Sequence, residues 1–433
     1  MDNHRLCLDD VDLYQFEQSF SPECGIPVYA RRLDLGGKRG SVAIRVLITV
    51  GARQDPDGRE GLAHFAEHTP FQGTHLYPAH EDIQLVNEDV FLGTLNASTD
   101  FESTQFYGVT STEDLPDAMK VFRDLVFFPL LTPDAFTKEQ DVVVREIWRA
   151  FGTTGNAEFT KEHRRDLYGI HSFGRAGVLG WEASVRAISP ELFRDFMERY
   201  WHVGNVYVFF VGDVTLDVAE RMTDLFGRGA PQKVALAKPP FLEKGLSPQR
   251  LFRETSAAAI GFSGLQSAII NAESVMPVQE NPYVADVGNR MLNQILIDAV
   301  RQKLGGTYQV SVSCQTALDH HLWSLRLECP GDILEIVCAI IKETFYGVSC
   351  GNDPCISAFS REKRIRERGQ DLRSDVSFAT IARNAAFEKS VYGRIITDQE
   401  GHESLARVTY DDVARMVREE FSEHKLCWSI VRP

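Results

Sequence analysis

The sequence predicts an α+β protein built from two structurally repeated α/β sandwich domains, and three observations carry that expectation. Strand-like and helix-like stretches are mixed without strict alternation, which favours helices packed on a mixed sheet over a doubly wound parallel fold. The order of these stretches recurs after a segment rich in Gly and Pro near the middle of the chain. The chain of 433 residues is also longer than one ordinary core organises.

In the first half, Ser41 to Val50 reads as a strand, with Val42, Ile44, Val46 and Ile48 at period two. A short helix around His64 follows, then strands around Asn96 and Phe106, and a helix from Leu115 to Phe127. Thr132-Pro133-Asp134 is a helix start, a cap residue followed by Pro, and Phe136, Val142, Val143, Ile147 and Trp148 carry that helix on. Pro190 to Trp201 reads as another helix, and Asn205 to Val211 as a buried strand ending at Gly212-Asp213. Residues 229–248 include Gly229, Pro231, Pro239, Pro240, Gly245 and Pro248, and read as a linker between domains at 1–228 and 249–433. The second half is expected to hold a strand near Ala258 to Phe262, a long helix from about Pro282 to Leu304, and strands at Tyr308 to Gln315 and Leu322 to Cys329. Further helices and a closing strand, Leu426 to Val431, complete it. That closing strand parallels Asn205 to Val211, which marks the halves as repeats of about two hundred residues.

Composition narrows the function. Hydrophobic residues make up 43% and charged residues 25%, the balance of a soluble globular protein. The longest apolar run, Val206 to Val211, is far short of a membrane span, so no membrane partner is expected. Met1 to Cys7 opens neither a long apolar stretch nor an Arg/Ser-rich amphipathic presequence, so cytoplasmic residence is expected. The eight cysteines are scattered with no C-x-x-C, which suits thiols in a reducing compartment. A net charge of −15 speaks against nucleic acid as a partner. It would suit a basic peptide if the acidic residues lined a chamber, and serves solubility if they do not.

The stretch that carries chemistry is His64-Phe65-Ala66-Glu67-His68, two imidazoles four apart with a carboxylate just before the second. On a helix, positions four apart lie one turn on, so both rings can point at one ion. Glu67 lies on the same side and is placed to take a proton from an activated water. The pentapeptide alone also admits a solvated helix face, but Gly61-Leu62-Ala63 and Phe65-Ala66 make the segment half buried, where an unpaired histidine pair is costly. A catalytic zinc usually takes three protein ligands. Glu139 and Glu146, seven apart on the next strong helix, share a face and can serve as a metal ligand and a group that orients one, or form a solvated acidic stripe.

Beyond the metal motif, Val50-Gly51-Ala52-Arg53, Gly61 to His68 and Phe71-Gln72-Gly73-Thr74 resemble the inverted-motif zinc peptidases of the pitrilysin type. The likeness is to their short-chain branch, that of mitochondrial processing peptidase and its bacterial relatives. In that family a Glu some seventy-odd residues after the second His completes the site, with another Glu seven residues before it. Glu146 and Glu139 match those positions. The resemblance therefore implies one Zn2+ per chain on His64, His68 and Glu146, Glu67 as general base, and Glu139 behind the ligands. Asn96-Ala97-Ser98-Thr99, followed by Glu102, Thr104 and Phe106, is similar to the family's cleft-lining strand, so Asn96, Ala97 and Thr99 are expected to bind substrate by strand addition. Leu179-Gly180, Ile188-Ser189-Pro190 and Asn205 to Asp213 match later landmarks.

In the second half, Arg301 and Tyr308 match the family's R-E-x-x-G-x-x-Y, whose Arg and Tyr contact substrate near the scissile carbonyl. The plainer alternatives are a helix-end Arg and a strand-starting Tyr. Gln302 replaces the usual acid, Leu292 to Ile297 replaces a small Gly/Ser-rich turn, and Pro70 falls where an aliphatic residue is usual, ending or kinking the helix. The resemblance implies a zinc-dependent endopeptidase forming half of a clamshell chamber for peptides. Because this chain carries both motif sets, a homodimer is expected, with a heterodimer with a related chain as the alternative, and Arg301 and Tyr308 then act on the partner's zinc. A non-catalytic scaffold or partner subunit with the same fold is the alternative function.

Overall fold

The structure, a computed structural model, describes residues 12–33, 40–169, 171–233, 248, 250–304, 310–351 and 377–433. In chain order the first strands are β1 (Glu17–Phe20), β2 (Pro27–Arg32) and β3 (Ser41–Ile48), followed by helices α1 (Leu62–His68) and α2 (His80–Phe91). Strands β4 (Asn96–Thr99) and β5 (Thr104–Ser111) lead to α3 (Leu115–Phe127), α4 (Pro133–Phe151), α5 (Thr154–Tyr168), α6 (Ser172–Arg175), α7 (Glu182–Arg186) and α8 (Pro190–Tyr200). Then come β6 (Val206–Gly212), α9 (Leu216–Gly227), β7 (Phe252–Ser256), β8 (Ser267–Pro277), α10 (Tyr283–Leu304), β9 (Val310–Thr316) and β10 (His320–Pro330). The chain ends with α11 (Leu334–Cys350), α12 (Phe378–Tyr392), α13 (Asp398–Arg407), α14 (Tyr410–Glu420) and β11 (Cys427–Arg432). No helix of the described residues is long and apolar enough to cross a membrane.

The chain forms two compact units, each assembled from separated stretches. Met1–Ile147, Ala176–Pro239 and Leu372–Gln399 make the first, and Trp148–Arg175, Pro240–Asp371 and Glu400–Pro433 the second. Most of the stretch expected to link two domains, 234–247 and 249, lies outside the described residues.

In the first unit a six-stranded mixed sheet runs β1-β2-β6-β3-β5-β4. Its central strand β3 is buried along nearly its whole length, not only at the alternating residues. Helix α12 is the cause: Ala43 and Leu47, with Phe209 and Val211 of β6, pack beneath Phe378, Ile381, Ala382 and Ala385. The opposite face carries Val46 and Phe106, paired across β3 and β5. There Gly108 lets α2 lie close, since a Cβ at that position would stand 2.6 Å from the Phe91 ring.

In the second unit the sheet runs β7-β11-β8-β10-β9. Ile270 and Ala272 of β8 and Trp323 and Leu325 of β10 form a core with Leu292 and Leu296 of α10, Ile341 of α11 and Val417 of α14. With β1 set aside, both sheets place their strands in the same order: first, fifth, second, fourth, third. In both, the first and fifth strands are parallel and the remaining neighbours antiparallel. The two units are thus repeats of one α/β topology, in an α+β protein.

One expected strand is absent. Ala258–Ile260 is a 3-10 turn, and the strand lies earlier, at β7. Gly261, at φ +82°, reverses the chain after that turn, and Phe262 N–H closes it onto the Ala257 carbonyl.

Candidate metal centre

Helix α1 is only seven residues long, so its placement depends on what holds its ends. Asp55 caps it from outside: one carboxylate oxygen accepts from Gly61 N–H at 2.7 Å and the other from Ala63 N–H at 2.8 Å. Gly61 takes φ +95°, and a Cβ there would stand 2.7 Å from the Leu179 carbonyl oxygen. At the other end α1 stops at His68 and a 3-10 turn containing Pro70 takes over, as the proline predicts. Phe65 fixes the helix to α4, its ring 4.9 Å from that of Phe136 and edge-on.

This packing brings two helices' polar side chains together. His64 Nε2 and His68 Nε2 lie 3.1 Å apart, and Glu146 Oε2 of α4 is 3.7 Å from the first and 3.6 Å from the second. Tetrahedral zinc with bonds of about 2.0–2.1 Å spaces its donors roughly 3.3 Å apart, so two imidazoles and one carboxylate at these separations fit the ion. Among the described residues no other group of three His, Cys, Asp or Glu converges this closely.

Glu139, one face of α4 and two turns earlier, is 2% exposed and uses both oxygens. Oε1 accepts from His68 Nδ1–H at 2.8 Å, and Oε2 accepts from the Gln72 side-chain amide at 2.6 Å. With the proton held on Nδ1, His68 presents a lone pair at Nε2, where the other donors converge. The Gln72 contact was not read from the sequence, although Gln72 lies in a stretch that carried the resemblance.

Burial sets the charges of the site. His64, 6% exposed, is pushed down to about 3 by burial and by the neighbouring His68, so its imidazole stays neutral. Glu67, 8% exposed, is raised above the usual carboxylate range by burial; His68 and a hydrogen bond from Thr99 oppose the rise, and Glu146 adds to it. For His68 burial works against the charged form, but the Glu139 hydrogen bond and the charges of Glu67, Glu139 and Glu146 outweigh it and raise the ring's pKa.

Strand β4, carrying Asn96, Ala97 and Thr99, forms the edge of the first sheet and pairs only with β5 among the described strands. Helix α1 packs against it, so this edge adjoins the metal residues. Arg301 lies exposed in the last turn of α10, in the second unit. Tyr308 lies outside the described residues.

Two models of one peptidase family match the chain: Insulinase (Peptidase family M16) over residues 38–163, and Peptidase M16 inactive domain over residues 187–349. The chain belongs to the M16 peptidase family. This is the pitrilysin-type family that the motifs resemble. An uncharacterized zinc protease of Rickettsia felis is 25% identical over 400 residues, covering 88% of this M16 chain and 90% of its own. Mitochondrial-processing peptidase subunit beta of Saccharomyces cerevisiae is 32% identical over 160 residues, 37% of this chain and 34% of its own. A solved protease from Helicobacter pylori shares the fold, with a TM-score of 0.78 at 17% identity, over 97% of this chain and all of that one.

Proposed function

We propose that this M16 protein is a zinc-dependent endopeptidase in which Glu67 acts as general base. The observation that carries the reading is the convergence of His64, His68 and Glu146 with Glu67 beside them on α1. Zinc bound there would supply a Lewis acid that polarises the scissile carbonyl and makes water a competent nucleophile near neutral pH. Glu67 would take the proton from that water and deliver it to the leaving amine. Glu139 would hold His68 in the ligating tautomer. The free edge of β4 would receive the substrate main chain as an added strand, with Asn96 at its exposed start.

Arg301 and Tyr308 would contact the substrate near the carbonyl under attack. A second chain would supply the other half of the chamber, either a copy of this one or a related subunit. The yeast relative, by its name a subunit, gives the related-chain arrangement its support. Mixed chains carrying Glu67→Gln and Tyr308→Phe would regain activity if the two motif sets work across subunits, and absence of regained activity would overturn that sharing. The word inactive in the second family match falls on residues 187–349, which exclude all four metal-site residues. That disfavours reading the chain as a scaffold.

The test is metal content together with a mass-resolved digest of a peptide library, run beside Glu67→Gln. The variant is expected to keep zinc and lose cleavage by about 10²–10⁴-fold. A variant that keeps zinc and cleaves as fast as the parent would remove Glu67 from its role.

A further inference from the structure

Arg45, on the central strand β3, is 5% exposed and alternates with Ala43 and Leu47, so it lies on the face of the first sheet that α12 packs against. Tyr107 of β5 stands directly opposite it, and Asn96 of β4 opposite Tyr107, which makes one row from the centre of the sheet to its edge. Thr99, which reaches Glu67, points to the other face, since it is three residues from Asn96 along β4. The Arg45 guanidinium lies 4.1 Å over the Tyr107 ring, and Nη1–H donates to Gln105 Oε1 at 2.6 Å. Its Nε is buried with no hydrogen-bond partner, and no carboxylate pairs with it among the described residues. Burial pushes Arg45 down to about 10; the Tyr107 phenol opposes this, and Arg383 of α12 adds to it. Arg383 is exposed and likewise has no carboxylate partner among the described residues. Two guanidiniums therefore stand together without an acid, in a chain of net charge −15. Solubility does not require them there, and a buried charge left uncompensated is costly.

We propose that Arg45 and Arg383 hold an oxyanion, a carboxylate or phosphate group, on the face of the first sheet away from Glu67. A guanidinium offers a rigid fork of donors that matches two oxygens of such a group. Stacking on Tyr107 and the bond to Gln105 fix the plane of the Arg45 fork before any ligand arrives. Arg383 brings a second fork from the helix above. Asn96 extends the row with a further donor: its side-chain oxygen already accepts from Ala97 N–H at 2.8 Å, which leaves the amide hydrogens for a ligand. The oxyanion has two sources. One is a free anion in solution, which needs neither zinc nor cleavage. The other is an acidic residue of a peptide laid along β4, because an added strand turns alternate side chains to this face; that source rests on the peptidase reading.

The test has two arms on the zinc-loaded full chain. In the first, inorganic phosphate is titrated in a calorimeter against chloride of equal ionic strength. One phosphate per chain is expected, held at least tenfold more weakly in Arg383→Ala and in Arg45→Gln and largely retained in Arg383→Lys. In the second, peptides identical but for Glu or Gln at one position at a time bind the Glu67→Gln chain, which does not consume them. A preference of at least fivefold for Glu at one position, lost when Arg383→Ala is added, assigns the acidic residue of a peptide as the source. Arg383 is exposed, so its variants decide the matter even where Arg45→Gln does not fold. Phosphate binding that survives the Arg383 and Arg45 substitutions lies elsewhere, at the zinc for example. If neither phosphate affinity nor any Glu preference responds to Arg383→Ala, the proposal is overturned. A chain that cuts no peptide but shows either response keeps the anion site and loses the hydrolytic reading. A chain that cuts peptides and shows neither keeps the hydrolytic reading and loses the anion site.

Discussion

Glu139 divides its two oxygens between His68 and Gln72, and in doing so decides which nitrogen of His68 is free to ligate. A glutamine at 139 can still offer one oxygen to His68 but loses the charge and leaves an amide facing the Gln72 amide. Glu139→Gln is therefore expected to lower zinc affinity about 10–100-fold while leaving the fold intact, as read by competition with a chelator. Unchanged affinity would mean that His68 is oriented by α1 alone. At this scale the sequence was informative wherever a spacing had a geometric meaning: four residues on α1 bring His64 and His68 together at Glu146, and seven on α4 set Glu139 behind His68. Gln72 had no such spacing, because its partner Glu139 is a residue of another helix.

At the scale of elements, α1 depends on Asp55, whose two hydrogen bonds replace the cap that Gly61 has no side chain to make. Asp55→Ala leaves two N–H groups of α1 without this acceptor, and is expected to destabilise the first unit by about 2 kcal/mol. Urea unfolding measures it, and an unchanged midpoint would show that packing of Phe65 alone fixes the helix. Elements with a clear period or a cap were legible. Helix α3 falls at Leu115–Phe127 as expected, and α4 begins at Pro133 behind Thr132. Strand β8 was not legible, although its burial alternates along its length. Its other face carries Asn271 and Glu273, and Glu273 is satisfied by His163 of α5 at 2.5 Å and by Ser324 of β10 at 2.7 Å, so a packed strand face looks polar in sequence. The burial of both faces of β3 was likewise hidden, since α12, which covers the second face, lies more than three hundred residues away.

At the scale of the whole molecule, the repeat was readable from the recurring order of elements, and the two sheets carry it in five strands each, β1 being extra to the first. The exchange of segments, 148–175 into the second unit and 372–399 into the first, was not, because nothing local records which sheet a helix will cover. One consequence can be measured in acid. Burial would raise the Glu273 carboxyl, but hydrogen bonds from His163 and Ser324 and the charges of His163 and Arg164 hold it below the usual carboxylate range. A carboxyl depressed in the folded state stabilises fully above its unfolded value of about 4.3 and loses that contribution as pH falls through the folded value. The second unit should therefore weaken as pH drops below about 4.3, with a shallower slope in Glu273→Gln. Equal slopes in thermal unfolding followed against pH would contradict this.

The most direct test of the account is X-ray absorption at the zinc edge on the purified protein, with metal content measured for His64→Ala, His68→Ala and Glu146→Ala. The account predicts one zinc per chain, bound by two imidazole nitrogens and carboxylate or water oxygens at about 2.0–2.1 Å, and loss of most of that metal in each variant. Full zinc content in all three variants, or a spectrum dominated by sulfur ligands, would contradict it.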